Sequence, residues 1–235
     1  MIKVLLPFAS PTHCLRFANR CIPWGLAITA LLLCAGLFWG FIFAPPDYQQ
    51  GDGFRIIYLH VPAAVCSLGI YALMASFAIA ALTWRIKLAH TFISALAPLG
   101  AWITLLALVT GALWGKPMWG TYWIWDARLT SELILLFLYL GIIALQSAMP
   151  PTQSRHKAVA WLVLIGFIDI PIIHFSVNWW HTLHQGASLS LLHKPTIATP
   201  MLIPLLLMLG GMLSYVFTVM LLRARNSILE EGQAS

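Results

Sequence analysis

PMLIPLLLMLGGMLSYVFTVMLL, residues 200 to 222, holds no charged side chain and no His, Asn or Gln. A bilayer's hydrocarbon core is about 30 Å thick and is crossed by about 20 helical residues, so this run reads as a membrane span. Helix is the form it must take, because an open sheet in lipid would leave backbone N–H and C=O groups unpaired. Working back along the chain, residues 22–43, 60–84, 92–113, 129–149 and 158–175 meet the same test. The expected fold class is therefore all-α: a polytopic membrane protein with six transmembrane helices, residues 1–235 forming a single membrane domain. Two spans are less clean, one opening on His60 and Pro62, the other carrying Asp169, Pro171 and His174. Pro171 is expected to kink its helix or end its regular part.

Composition agrees. The chain is 60% hydrophobic and 9% charged with a mean hydropathy of +0.86, against roughly 25% charged residues in an ordinary soluble domain. The net charge of +6 does not point to nucleic acid, since Lys and Arg are spread over several loops without a basic block. The only bulk partner implied is membrane lipid. There is no P-loop, so the chain does not drive transport with ATP by itself, and no repeat suggests the paired halves of a secondary transporter. Cys14, Cys21, Cys34 and Cys66 form neither C-x-x-C nor C-x-x-C-H, and read as small hydrophobes or cytoplasmic thiols. Pro7 and Pro11 interrupt the N-terminal apolar run, so the first span is expected to stay as an anchor.

Orientation follows from basic residues on alternate sides. One side collects nine: Lys3, Arg16, Arg20, Arg85, Lys87, Arg155, Lys157, Arg223 and Arg225. The other has four: Arg55, Lys116, Arg128 and Lys194. Both termini are thus expected in the cytoplasm, with Ala44–Leu59, Trp114–Arg128 and Ser176–Thr199 as external connections.

Those external stretches carry the unusual chemistry. Residues 114–132 read WGKPMWGTYWIWDARLTSE, an external tryptophan-rich loop between the third and fourth helices. Membrane interfaces are rich in Trp, yet Trp114, Trp119, Trp123 and Trp125 followed at once by Asp126 are too dense for anchoring alone. Gly115, Pro117 and Gly120 are expected to break helix here and let backbone approach a ligand. Arg128 either pairs with Asp126 or receives a ligand carboxylate; Thr130, Ser131 and Glu132 are expected to serve as a helix-opening cap. On the same side lie His60, in RIIYLHVPAA, and His184, in NWWHTLHQG. Two neutral imidazoles from separate elements suit haem iron. Imidazole also suits zinc, copper and nickel, but a bare ion has no use for an aromatic platform, whereas a porphyrin has a wide apolar π face. His181, His174 and His193 compete with His184; His13, His90 and His156 fall on the cytoplasmic side and read as solvated loop residues.

The segment WGTYWIWD, Trp119 to Asp126, resembles the signature W-G-x-x-W-x-W-D of the haem-handling, tryptophan-rich (WWD) membrane protein family. FAPPDYQQG, RIIYLHVPAA, LVTGALWGKPMWGTYWIWDARLTSELILLFLYLG and PIIHFSVNWWHTLHQG extend the likeness over most of residues 20–190. Tyr122 departs from it, standing where close relatives carry Trp. The resemblance implies a multi-pass bacterial inner-membrane protein holding haem b at the periplasmic face, with His60 and His184 as axial ligands of oxidised iron. Trp114, Trp119, Tyr122, Trp123, Trp125 and Asp126 would supply the platform, and Arg128, Arg55 or Lys116 would meet the propionates. It further implies work in c-type cytochrome biogenesis with an ABC transporter, cytochrome c maturation proteins A and B. The small membrane protein D and the periplasmic haem chaperone, protein E, complete the expected partners. Attachment of haem to that chaperone leaves a lyase- or transferase-like role open. A haem-translocating channel, or a b-type cytochrome or quinone oxidoreductase subunit, are the alternative functions.

Overall fold

Six apolar runs of the right length demand six helices, and the computed structural model, described for residues 10–180, 182–184 and 197–234, contains them. Helix α1 spans Pro11–Phe38 and continues as a π-helical turn, Trp39–Phe43; a 3-10 turn, Asp52–Ile56, leads into α2, Ile57–Thr83. Then come α3, Lys87–Trp119, and α4, Ala127–Ala148. The fifth span is two helices, α5, Gln153–Gly166, and α6, Asp169–Trp179, and the last is α7, Thr199–Ala234. No β-strand occurs among the described residues. Each expected span lies within its helix to one residue at either end, but most helices run further. Hydropathy marks only the apolar middle, whereas the backbone hydrogen-bond ladder continues into polar and aromatic ends.

The tryptophan-rich segment shows this most clearly, and corrects the expectation of a loop from Trp114 to Arg128. Helix α3 continues through Gly115 and Pro117 as far as Trp119. Pro117 removes one N–H from the ladder, but the ladder resumes beyond it. Gly115 does not break the helix: a Cβ there would meet the Trp119 ring at 3.0 Å, so its role is close packing. Gly120 ends α3 with φ 78°, its N–H bonded to the Lys116 carbonyl at 3.0 Å. That left-handed conformation suits glycine. Pro171 behaves as expected. The fifth span breaks between Gly166 and Asp169, and Pro171 sits in the first turn of α6, where no N–H is needed.

Helix α1 packs along α7 and α2 along α3. Small residues bring the first pair together: a Cβ on Gly36 would lie 2.8 Å from Met208 Cγ, and one on Gly211 would lie 2.7 Å from Leu33 Cδ2. Tyr71, Met74, Phe92, Ile93, Leu96, Ile103, Leu135 and Tyr139 fill the core between α2, α3 and α4. The reading of His90 and His156 as solvated loop residues is overturned. His90 stands in the first turn of α3 and His156 in that of α5, their rings stacked at 4.4 Å and 14°.

A cavity between two histidines

His60 lies one turn inside α2, facing α3. Its Nδ1 is 3.0 Å from the Ala107 carbonyl and 3.2 Å from Thr110 Oγ1. A carbonyl only accepts, so the neutral ring carries its hydrogen on Nδ1. This leaves the Nε2 lone pair, which has no hydrogen bond among the described residues, as a free donor to a metal. Space for the ring comes from Gly111, where a Cβ would approach His60 Cε1 at 2.9 Å. The Trp114 ring meets His60 edge-on at 5.7 Å. Trp114 is itself held, donating from Nε1 to Gln50 Oε1 at 2.9 Å. Gln50 belongs to a turn that Asp47 Oδ1 closes by accepting from the Gln49 and Gln50 N–H groups.

His184 reaches the same place from the third external connection. Its side chain is 18% exposed, its ring lies 4.9 Å from that of Trp119, and its Nδ1 is 3.5 Å from Asp126 Oδ2. Asp126 serves three groups at once. Its Oδ1 caps α4 by accepting from the Leu129 N–H at 2.8 Å, and its Oδ2 accepts from the Thr182 hydroxyl while facing His184. The imidazole of His184 titrates below its ordinary 6.5, first because burial disfavours the cation and next because of Arg128; Asp126 pulls the other way.

Arg128 therefore does not pair with Asp126. Its one hydrogen bond among the described residues runs from Nη1 to the Ile173 carbonyl at 3.4 Å. The cap-like role expected of Thr130, Ser131 and Glu132 also fails: Asp126 provides the cap, and Glu132, one turn further on, is buried and bonded to Ser67.

His60, His184, Trp114, Trp119 and Arg128 border one cavity of about 330 Å3, with Gln50, Gly111, His174 and Asn178 also in its wall. Ligand pockets run to roughly 300–1,000 Å3. The other expected residues lie off this wall. Trp123 and Trp125 meet edge-on at 5.4 Å, Trp125 being 77% exposed. Tyr122 is exposed, with Lys116 Nζ 5.3 Å from its ring centre. Arg55 donates to Asp52 Oδ1 at 2.9 Å and to the Gly40 carbonyl at 2.7 Å, tying the first external connection to the end of the first span. Among the described residues no three His, Cys, Asp or Glu side chains converge on one point. His181, His193 and Lys194 lie outside the described residues.

Gly111, Gln50 and Glu132 were not singled out for the site by sequence. Glu132 carried a signal, a carboxyl at the edge of an apolar span; Gly111 carried none beyond being a glycine in a helical run.

Fold and site together define a class: a six-span helical membrane protein whose bundle holds, at one end, an aromatic-walled cavity bordered by two histidines. The chain belongs to the Heme exporter protein C family, which matches residues 4–235. It is 52% identical over 231 residues to Heme exporter protein C of Haemophilus influenzae, covering 98% of this chain and 94% of that one. Its identity to Heme exporter protein C of Escherichia coli K12 is 50% over 229 residues, covering 97% and 92%. A putative cytochrome c biosynthesis mitochondrial protein of Marchantia polymorpha is 42% identical over 228 residues, covering 97% and 95%. The spans and these relatives make it a multi-pass inner-membrane protein.

Proposed function

We propose that the protein holds haem b between His60 and His184 at the periplasmic face and presents it for covalent transfer to a periplasmic haem chaperone during c-type cytochrome biogenesis. The relatives' name, Heme exporter protein C, supports haem as the cargo. One observation carries the reading: imidazoles from two separate elements border one cavity, each with Nδ1 turned toward a protein acceptor. Carbonyl- or carboxylate-backed histidine is the usual arrangement at metals, since the backing group fixes tautomer and ring direction. Trp114 and Trp119 brace the two rings and offer apolar walls for a porphyrin.

His60 and His184 would hold the iron of the haem and would leave it no open site for oxygen, an arrangement that would suit oxidised iron. The protein's share of the transfer is then proximity and orientation, while the haem supplies the reactive chemistry. Energy must come from elsewhere, as the sequence has no P-loop. An ABC transporter of cytochrome c maturation proteins A and B fits that need, with small protein D alongside and chaperone E as acceptor.

Purified protein is expected to show a bis-imidazole haem spectrum. His60→Ala and His184→Ala should each weaken it, and free imidazole should restore it. An unchanged spectrum in both variants sinks the ligand assignment.

A further inference from the structure

One wall of the cavity between the histidines stands on a broken helix. In the fifth span α5 ends at Gly166 and α6 starts at Asp169. Two tight bonds join them, from the Ile168 N–H to the Ile165 carbonyl at 3.3 Å and from the Ile170 N–H to the Phe167 carbonyl at 3.2 Å. Pro171 has no N–H with which to carry the regular ladder across the join. Such element ends are where hinges absorb changes of φ and ψ.

Two buried polar atoms at this join have no hydrogen-bond partner among the described residues: Asp169 Oδ2 and the hydroxyl of Tyr71 on α2. Asp169 is 8% exposed and Tyr71 0%. They are neighbours, since a Cβ on Gly166 would collide with the Tyr71 hydroxyl and Asp169, three residues on, acts electrostatically on the same group. Leaving either atom buried and unpaired is costly. One is a donor and the other an acceptor, so a turn of α6 that brings them together meets both needs.

Beyond the join, α6 carries His174, Val177 and Asn178 into the wall of the larger cavity, which Val61, Ala64 and Val65 of α2 also line. Helix α6 rests on α4 and touches α2 only slightly. Among the described residues one side-chain hydrogen bond ties it to another helix, the 3.4 Å bond from Arg128 to the Ile173 carbonyl. The two histidines are anchored elsewhere, His60 on the Ala107 carbonyl of α3 and His184 beside Asp126 at the start of α4. A turn of α6 therefore moves the wall and leaves both imidazoles on their anchors. A plane held on both faces by imidazoles leaves by sliding edgewise past a side wall, and the α6 wall is the one that stands on a hinge.

We propose that α6 is a hinged gate of the cavity, turning about residues 166–169 between the described closed position and an open one latched by a hydrogen bond from the Tyr71 hydroxyl to Asp169 Oδ2. Closed, the wall bears on the ligand and the two polar atoms go unpaired; open, the pair forms and the wall withdraws. Contacts with the ligand offset the unpaired atoms, so loading shifts the gate toward closed. Tyr71 and Asp169 are thus positioning residues that set how fast the cargo enters and leaves. For haem as that cargo, the inference rests on the reading given above; the hinge itself does not.

Two measurements on the full-length protein in detergent test it. In the first, haem-loaded protein is mixed with excess apomyoglobin and the Soret band followed. Tyr71→Phe, which removes a hydroxyl without a partner and keeps the ring, should lose haem about threefold to tenfold more slowly than wild type, the size of one net hydrogen bond, with an unchanged bis-imidazole spectrum. Asp169→Leu should behave likewise, whereas Asp169→Asn, whose amide oxygen still accepts, should stay near wild type. Wild-type rates in both Tyr71→Phe and Asp169→Leu overturn the proposal. In the second, haem-free protein carries nitroxide labels on Trp179→Cys of α6 and Leu113→Cys of α3, both exposed positions, with Cys21→Ser and Cys34→Ser. Two label distances are expected, the population shifting to one of them in Tyr71→Phe. A single distance that Tyr71→Phe leaves unmoved overturns the gate. If wild type takes up no haem with a bis-imidazole spectrum, the haem reading falls and the label distances still decide the hinge.

Discussion

Gly111 gives His60 its place by lacking a side chain. An alanine Cβ would sit 2.9 Å from His60 Cε1, and the helix that carries Gly111 also supplies the Ala107 carbonyl that orients the ring. Gly111→Ala should therefore tilt the imidazole at a cost of about 1–3 kcal/mol, the usual range for overpacking. The expected readout is a several-fold loss of Soret absorbance per protein with unchanged elution on gel filtration. His184 invites a pH test. Its folded-state value lies below 6.5, so below pH 6.5 the unfolded chain takes up this proton before the folded one does. Stability from this group is whole above 6.5 and is lost as pH falls through the depressed value. The melting temperature in detergent should stay level from about pH 8 to 6.5 and decline below, with less decline in His184→Asn. The histidines and tryptophans of this site were legible in sequence because their residue types are rare and dense there. Gly111 and Glu132 were not, because each earns its role through a partner on another helix, His60 for one and Ser67 for the other.

At the scale of elements, the tryptophan-rich segment is half helix. Trp114 and Trp119 share the last turns of α3, which lets them brace His60 and His184 from one rigid support. Trp123 and Trp125 stand beyond the glycine that ends it. Gly120 holds φ 78°, a conformation that costs an L-residue about 1–2 kcal/mol. Gly120→Ala should lower stability by about that amount, measured by thermal unfolding in detergent, and should reduce haem content less than Gly111→Ala, since no cavity wall moves. Sequence placed the helix break too early here because proline and glycine are counted as breakers by type. A proline costs one bond of the ladder, and a helix braced by its neighbours survives that loss. In the fifth span the same reasoning succeeded, because Asp169 and Pro171 fall together in one first turn.

At the scale of the molecule, alternating helices bring the end of α3, the start of α4, the start of α2 and residues 182–184 to one end of the bundle. The basic residues, nine on one side and four on the other, predict that this end is external. Alkaline phosphatase, active only outside the cytoplasm, should be active when fused after Thr121 and inactive when fused after Thr152; the reverse pattern would turn the protein over. The sequence by itself determined the six spans, their all-helical form and the residue types of the site, because lipid admits few backbone solutions and reads hydrophobicity directly. Tertiary structure decided which residues meet. That Asp126 caps α4 and faces His184, that Arg128 donates to the Ile173 carbonyl, and that Glu132 turns inward to Ser67 all depend on distances between helices far apart in sequence. Hydropathy along one strand of text carries no record of those distances, since packing across helices is set by the shapes of both partners.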